Sequence, residues 1–288
     1  MSLAITKEAS RVDQRRRLVD IAMRGLCIAA TFLAIIPLIA VLAYVAAKGI
    51  GNLSWDLFTH DSTAPVGEPG NGLAAALTGT AVVVALACAI GIPVGVMAGV
   101  YLAELGRDST FAKTVRFTAD VMSGVPSIVV GVFVYAMIVL QQRHYSALAG
   151  GIALAIIMLP TVTRTTEEML RLVPDALREG ALALGVPRWK GILTVVLRTA
   201  APGIATGVML AVARVAGETA PLLFTALGND RVSTSLGQPI GTMPVLIFNY
   251  AKSPYPEQNN QAAAAALVLV AFVLLLNLSA RLLVRRKK

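Results

Sequence analysis

The sequence predicts an all-α membrane protein of six transmembrane helices, with an ordered helical loop on its cytoplasmic side. Three observations predict it. First, 56% of the 288 residues are hydrophobic and only 14% are charged, with mean hydropathy +0.73, whereas a soluble domain is roughly 25% charged. Second, six apolar segments are each near the roughly 20 residues that a helix needs to cross a bilayer, which puts both termini on one side. Third, Lys and Arg gather on that side. With the N-terminus inside, the inner segments hold six, three, six and five of them, twenty of the 25. Lys48, Arg143, Arg231 and Lys252 fall outside, and Arg214 lies within a span. This asymmetry obeys the positive-inside rule and makes both termini cytoplasmic.

Residues 1–20 read as a cytoplasmic tail. The apolar run after it exceeds 20 residues, whereas a signal peptide has a shorter apolar core before a small-residue cleavage site, so it reads as a retained first span, roughly 21–47. Span 2 covers roughly 73–103, where Gly91, Pro93 and Gly95 predict a kink. Spans 3 and 4 are roughly 118–140 and 147–163, and spans 5 and 6 roughly 200–228 and 261–284. The membrane domain thus runs from 21 to 284 as one unit and includes a cytoplasmic loop at 164–199; a basic C-terminus, 285–288, follows. Outer loop 49–72 carries Asp56, Asp61 and Glu68 among turn formers. Outer loop 229–260 is long for a compact bundle, which suits a functional loop as well as a solvated connector. Within it, MPVLIFNYA is a candidate interfacial helix.

Several function classes find no support. The net charge of +9 comes without aromatic–basic interleaving, so no nucleic-acid partner is expected. Cys27 and Cys88 sit in apolar runs and His60 and His144 lie far apart, which gives neither a disulfide framework nor a metal site. No Ser/His pair or paired Asp marks an intramembrane enzyme. No G-x-x-x-x-G-K-[ST] stretch occurs, so the chain carries no P-loop ATPase. The paired halves common in secondary transporters are not visible either.

The loop 164–199 has the pattern of a folded element. Pro174 can open a helix, Asp175 and Glu179 suit its N-terminal end, and Gly185 can cap its C-terminus. Ala176, Leu177, Ala181 and Leu184 give it an apolar face. A helix lying on lipid would show a basic polar face, whereas this one has Asp175, Arg178 and Glu179. A short helix docking in a protein groove fits better.

Here a resemblance becomes specific. Glu179-Gly180-Ala181, three residues, then Gly185 resembles the EAA motif of ABC importer permeases. Gly180 stands where that motif has its central Ala, and Arg198 where it usually has Pro. IGIPVGVMAGVYLAE (90–104), VRFTADVMSGVPSIVVGVFVY (115–135), LPTVTRTTEEMLRLVPDALREGALALGVPRWK (159–190) and ARVAGETAPLLFTA (213–226) resemble the A-type permeases of phosphate-specific ABC importers. The likeness covers roughly 70–288. It implies a type I ABC importer permease in a bacterial cytoplasmic membrane, moving inorganic phosphate inward by alternating access. Arg178, Glu179, Gly180, Ala181 and Gly185 would form the helix that couples to an ATPase. The implied partners are a paired C-type permease, a cytoplasmic ATPase dimer, an extracytoplasmic phosphate-binding protein and the lipid bilayer. ATP and Mg would be bound by the ATPase, with no cofactor in this chain and no catalytic residue. Permeases for molybdate or sulfate, and a stand-alone secondary transporter, are the competing readings.

A phosphate path needs donors and positive charge, and the planar fork of Arg suits phosphate. Arg214 in span 5 and Arg164, beside Thr165 and Thr166 at the end of span 4, are the candidates. Facing lipid, each would cost about 2.5–3.5 kcal/mol at mid-membrane. Three readings of Arg214 and Glu218, four residues apart, stay open: a local ion pair, a link across a permease–permease interface, or phosphate contact by Arg214 with Glu218 holding it. Ser123 and Ser127 flank Gly124 and Pro126 in span 3 and suit helix packing or substrate contact.

Overall fold

The computed structural model describes residues 2–63 and 71–285, with side chains for 16–63 and 71–278. Glu68 lies outside the described residues, and of the basic C-terminus only the backbone of Arg285 lies within them. The chain divides into two units, residues 1–48 and 49–288. The first is essentially one helix, α1 (Ser2–Gly49), which runs on through Pro37. No change of backbone marks residue 20. From Cys27 to Ala47 its sequence is apolar on every side, as a lipid-facing span should be.

The regular structure of the second unit is all helix, with no β-strand among its described residues and an irregular stretch at 226–242. A short α2 (Asp56–Thr59) precedes α3 (Ala74–Val100), which continues through a π turn, Tyr101–Leu105. Next come α4 (Thr110–Gly124), α5 (Ser127–Val134), a π turn and α6 (Leu140–Gln142), and then α7 (Ala147–Arg171). The short α8 (Asp175–Ala183) leads to α9 (Arg188–Gly191), which passes through a third π turn into α10 (Leu197–Ala216). After α11 (Ala220–Thr225) and α12 (Met243–Ala251), α13 (Pro256–Arg285) closes the chain.

The most extensive packing is between α3 and α7. The sequence suggested that Gly91 and Gly95 bend span 2. The helix α3 is continuous through Pro93, and Gly91, Gly95 and Gly99 form a smooth stripe against α7. A Cβ at Gly95 would lie 2.8 Å from the Val162 Cβ, and one at Gly99 only 2.5 Å from the Thr166 Cβ. Helices in membranes associate through such small-residue faces because burying apolar side chains gains little there. Val83, Leu154, Met158, Val162, Ala211 and Leu222 form the central core around this contact. A second cluster, including Leu170, Val173, Val196 and Ile204, sits at the α8 end of the bundle.

Among the described residues, five helices are long and apolar enough to cross a membrane, and a sixth crossing exists only if the bent α4–α6 pair is one span. The third predicted span, 118–140, is therefore corrected. It breaks at Val125–Pro126, with a bend of 105°. Pro126 has no N–H to continue the ladder and forces its predecessor out of the helical region; Val125 is extended, at φ −72°, ψ 130°. The fifth, 200–228, is corrected too. Helix α10 stops at Ala216, Gly217 caps it, and Pro221 opens the separate α11 in its first turn. At the other boundary, α7 reaches Arg171 and the span ending in α10 begins at Arg188, so 164–199 is largely helix continuation. Apolar composition ends before the helices do, because the charged residues there find partners. The MPVLIFNYA segment does form a helix, α12, whose Met243 N–H donates to Thr80 Oγ1 at 2.8 Å.

The α3–α7 contact yields a test. Gly99→Val places its Cβ on Thr166 and 2.8 Å from the Thr163 carbonyl oxygen. The cost should be about 1–3 kcal/mol or more, the range for overpacking. A lower melting temperature in detergent, read by static light scattering, is the expected outcome, while Gly180→Ala, which meets nothing within 4 Å, should leave it unchanged.

Candidate functional site

Three clusters of polar side chains stand out, all built on the ends and breaks of the long helices.

The first holds α8. Pro174 is its N-terminal cap residue, and Gly185 ends it with φ +76°, a left-handed conformation suited to glycine. Arg178 reaches back to Glu104 on the π turn after α3. Its Nη2 donates to Glu104 Oε1 at 2.7 Å and to the Leu170 carbonyl at 2.8 Å, and its Nη1 donates to Asp175 Oδ1 at 3.0 Å. Arg188 Nη2 donates to the Glu104 backbone oxygen at 2.6 Å. Glu104 is only 6% exposed, so this carboxylate depends on Arg178. The hydrogen bonds to Glu104 in turn hold the guanidinium above its ordinary pKa, against the opposing effect of partial burial. Ala181 is buried beside Gly191. Glu179, Gly180 and Gly185 are exposed, and so are Leu177, Leu182 and Leu184, the last at 85%. One side of α8 is thus bolted to the bundle, and an apolar side with one carboxylate faces outward.

The second cluster is a cleft at the α4–α5 break. Ser123, Ser127, Pro160, Thr161 and Arg214 line it, with apolar neighbours from α4, α5 and α7. It brings together three of the residues singled out in the sequence. Ser123 Oγ donates to the Ala119 carbonyl at 2.9 Å, which leaves its lone pairs open. Arg214 is 52% exposed. Its Nε lies 3.8 Å from Glu218 Oε1, too far for a hydrogen bond. Glu218 follows the end of α10, so the two residues do not share an unbroken helical face.

The third cluster takes in Arg164. Its Nε donates to Asp120 Oδ1 at 2.9 Å, its Nη2 donates to Asp120 Oδ2, and its Nη1 donates to Glu167 Oε2 at 3.2 Å. Glu167 is 1% exposed. Arg116 Nε donates to Glu167 Oε1 at 2.6 Å, and Arg171 Nη2 lies 2.7 Å from the same oxygen. Arg116 also donates to the Leu102 and Arg107 carbonyls, which ties α4 to the end of α3. Thr166 packs on Gly99. Glu104, Arg116, Asp120, Glu167 and Arg188 were not singled out in the sequence. The signal was present only as charges at the margins of apolar runs, with partners 44 to 84 residues away.

A helical bundle with a broken inner span, which projects a short exposed helix between two of its long ones, has the build of an importer's membrane subunit. Residues 91–288 match the family described as "Binding-protein-dependent transport system inner membrane component", and the chain belongs to that family. It is a multi-pass membrane protein with the fold of ABC importer permeases. Among its relatives is the "Phosphate transport system permease protein PstA" of Yersinia pestis, 49% identical over 251 residues, 87% of this chain and 85% of the relative. The protein of the same name from Haemophilus influenzae is 47% identical over 92% of this chain and 94% of its own length. The fold also resembles an inward-facing form of the MetNI methionine ABC transporter, with TM-score 0.61, 19% identity, and coverage of 75% of this chain and 95% of the other.

The Glu104–Arg178 tie is testable by a double-mutant cycle. Arg178→Gln leaves Glu104 buried and unpaired, which should cost about 3–5 kcal/mol. Glu104→Gln with Arg178→Gln should recover a large part of the lost thermal stability.

Proposed function

We propose that this chain is the permease subunit of an ATP-driven importer that carries inorganic phosphate inward by alternating access. The observation that carries the reading is the kinship with PstA proteins over nearly the whole chain. The cleft lined by Arg214, Ser123 and Ser127 supports it chemically. A guanidinium offers paired donors to phosphate oxygens, and the N-terminus of α5 adds a favourable dipole. A serine hydroxyl oxygen can accept a hydrogen bond from the P–OH group that hydrogen phosphate carries and sulfate at neutral pH lacks. Arg214 contacts phosphate, and the 3.8 Å separation from Glu218 leaves its guanidinium available. Arg164 meets the ion further along the path.

The excess of Lys and Arg near α8 argues for a cytoplasmic α8 and cytoplasmic termini. The exposed face of α8, with Glu179 and Leu184, suits a groove on a cytoplasmic ATPase dimer. That dimer would bind ATP and Mg and do all the hydrolysis, since this chain has no P-loop. A paired C-type permease completes the pathway, and an extracytoplasmic phosphate-binding protein loads it. ATP-driven closure of the dimer pulls on α8; Arg178 passes the movement to the end of α3 through Glu104.

Reconstituted complex tests both parts. Arg214→Gln should lower phosphate uptake about 10–100-fold, the loss of a hydrogen bond to a charged group at about 1.5–3 kcal/mol, with subunit composition unchanged. Uptake at the wild-type rate would remove Arg214 from the path. Glu179→Ala should reduce phosphate moved per ATP hydrolysed several-fold; an unchanged ratio would exclude Glu179 from coupling.

A further inference from the structure

We infer that Asp120 and Arg164 form an ionic gate at the cytoplasmic end of the phosphate cleft, with Glu167 as its fixed pivot. The inference rests on the permease reading above and adds to it a barrier that phosphate itself can open.

The geometry places the pair directly in line with the cleft. Ser123 on α4 and Thr161 on α7 line the cleft. Asp120 precedes Ser123 by three residues, and Arg164 follows Thr161 by three. The two helices run antiparallel, since Arg116 meets Glu167 and, further along α4, Asp120 meets Arg164; α7 ends beside α8, so α4 runs away from that end. Each residue therefore lies about 4.5 Å further toward the α8 end, close to one helical turn. There the Arg164 Nε and Nη2 close on both Asp120 oxygens. An ion moving down the cleft meets this bridge next.

The two carboxylates that hold Arg164 differ in kind. Glu167 is 1% exposed and is fixed by Arg116 and Arg171 as well. Asp120 is 60% exposed, and Arg164 is its only hydrogen-bond partner among the described residues. Removing Glu167 would leave three guanidiniums around a void, whereas Asp120 can swing out into the crevice with little desolvation cost. Glu167 thus holds the guanidinium in place while Asp120 opens and closes.

Phosphate is a natural competitor for Asp120. It offers the same paired oxygens to the guanidinium and more negative charge. The bridge stays closed in the empty state, since Asp120 repels anions that lack a guanidinium to bind. A phosphate arriving from Arg214 displaces Asp120, and the Asp120 carboxylate then repels it toward the cytoplasm. Asp120 acts as a positioning residue, because it works through Arg164.

The assay uses the full complex in proteoliposomes, with and without the phosphate-loaded binding protein. Asp120→Asn should raise ATP hydrolysis without the binding protein several-fold and allow ATP-independent leak of phosphate, while ATP-driven uptake falls. The swap Asp120→Arg with Arg164→Asp should bring leak and idle hydrolysis back toward wild type. Equal losses of uptake and hydrolysis in Asp120→Asn, with no leak and no recovery in the swap, would overturn the gate. So would wild-type behaviour of Asp120→Asn. Should Asp120→Asn fail to assemble, Asp120→Glu decides: a tight but slower transporter supports the gate, and a leak equal to that of Arg164→Gln refutes it. If the wild-type complex moves no phosphate with ATP and binding protein present, the permease reading fails, and the gate with it; a wild-type complex that transports while Asp120→Asn assembles and stays tight fails the gate alone.

Discussion

The close seating of α7 on α3 is the contact on which the rest depends. Without side chains at Gly91, Gly95 and Gly99, this stretch of α3 lies directly on α7 from Ala155 to Thr166. In lipid no hydrophobic drive pulls helices together, so dispersion across a tight seam must do it. That seam sets where both helices end. The end of α3 presents Glu104, and the end of α7 presents Arg164, Glu167 and Arg171. A looser seam would separate charges that are tolerable at this depth only as pairs.

Two breaks stand beside this packed pair. The chain bends through 105° at Val125–Pro126, and the stop at Ala216 frees Glu218 from α10. Irregular backbone at membrane depth is tolerated where it lines a cavity. Here a cleft forms beside Arg214, lined also by Ser123 and Ser127.

The ion clusters differ in how firmly they are held. Glu104 and Glu167 are buried and multiply bonded. Asp120 is exposed and is held through Arg164, and Glu218 stands 3.8 Å from Arg214. Arg178 joins α8 to the π turn after α3, and Arg164 joins α7 to α4.

Much of this was legible in the sequence. Helix α8 was, from Pro174 to Gly185, because its start, faces and cap are set by neighbours within a turn. The membrane embedding was as well, since it follows from composition and charge side. The grouping of Ser123, Ser127 and Arg214 was only half legible: each residue stood out, but nothing linked them. The packing role of the span 2 glycines went unseen and the two interrupted spans were misread, because an apolar run looks the same whether its backbone continues or turns at a proline.

The sequence by itself determined that the chain is a helical membrane protein, where the short helix α8 forms, and that its apolar runs carry out-of-place charges. Tertiary structure decided which charges meet. Arg164 finds Asp120 from 44 residues away, Arg116 finds Glu167 from 51, and Arg178 finds Glu104 from 74. Helix formation and membrane insertion are governed by local chemistry and total hydrophobicity, which a single chain records directly. Charge pairing depends on the depth and rotation at which helices dock, and only the packed bundle specifies those.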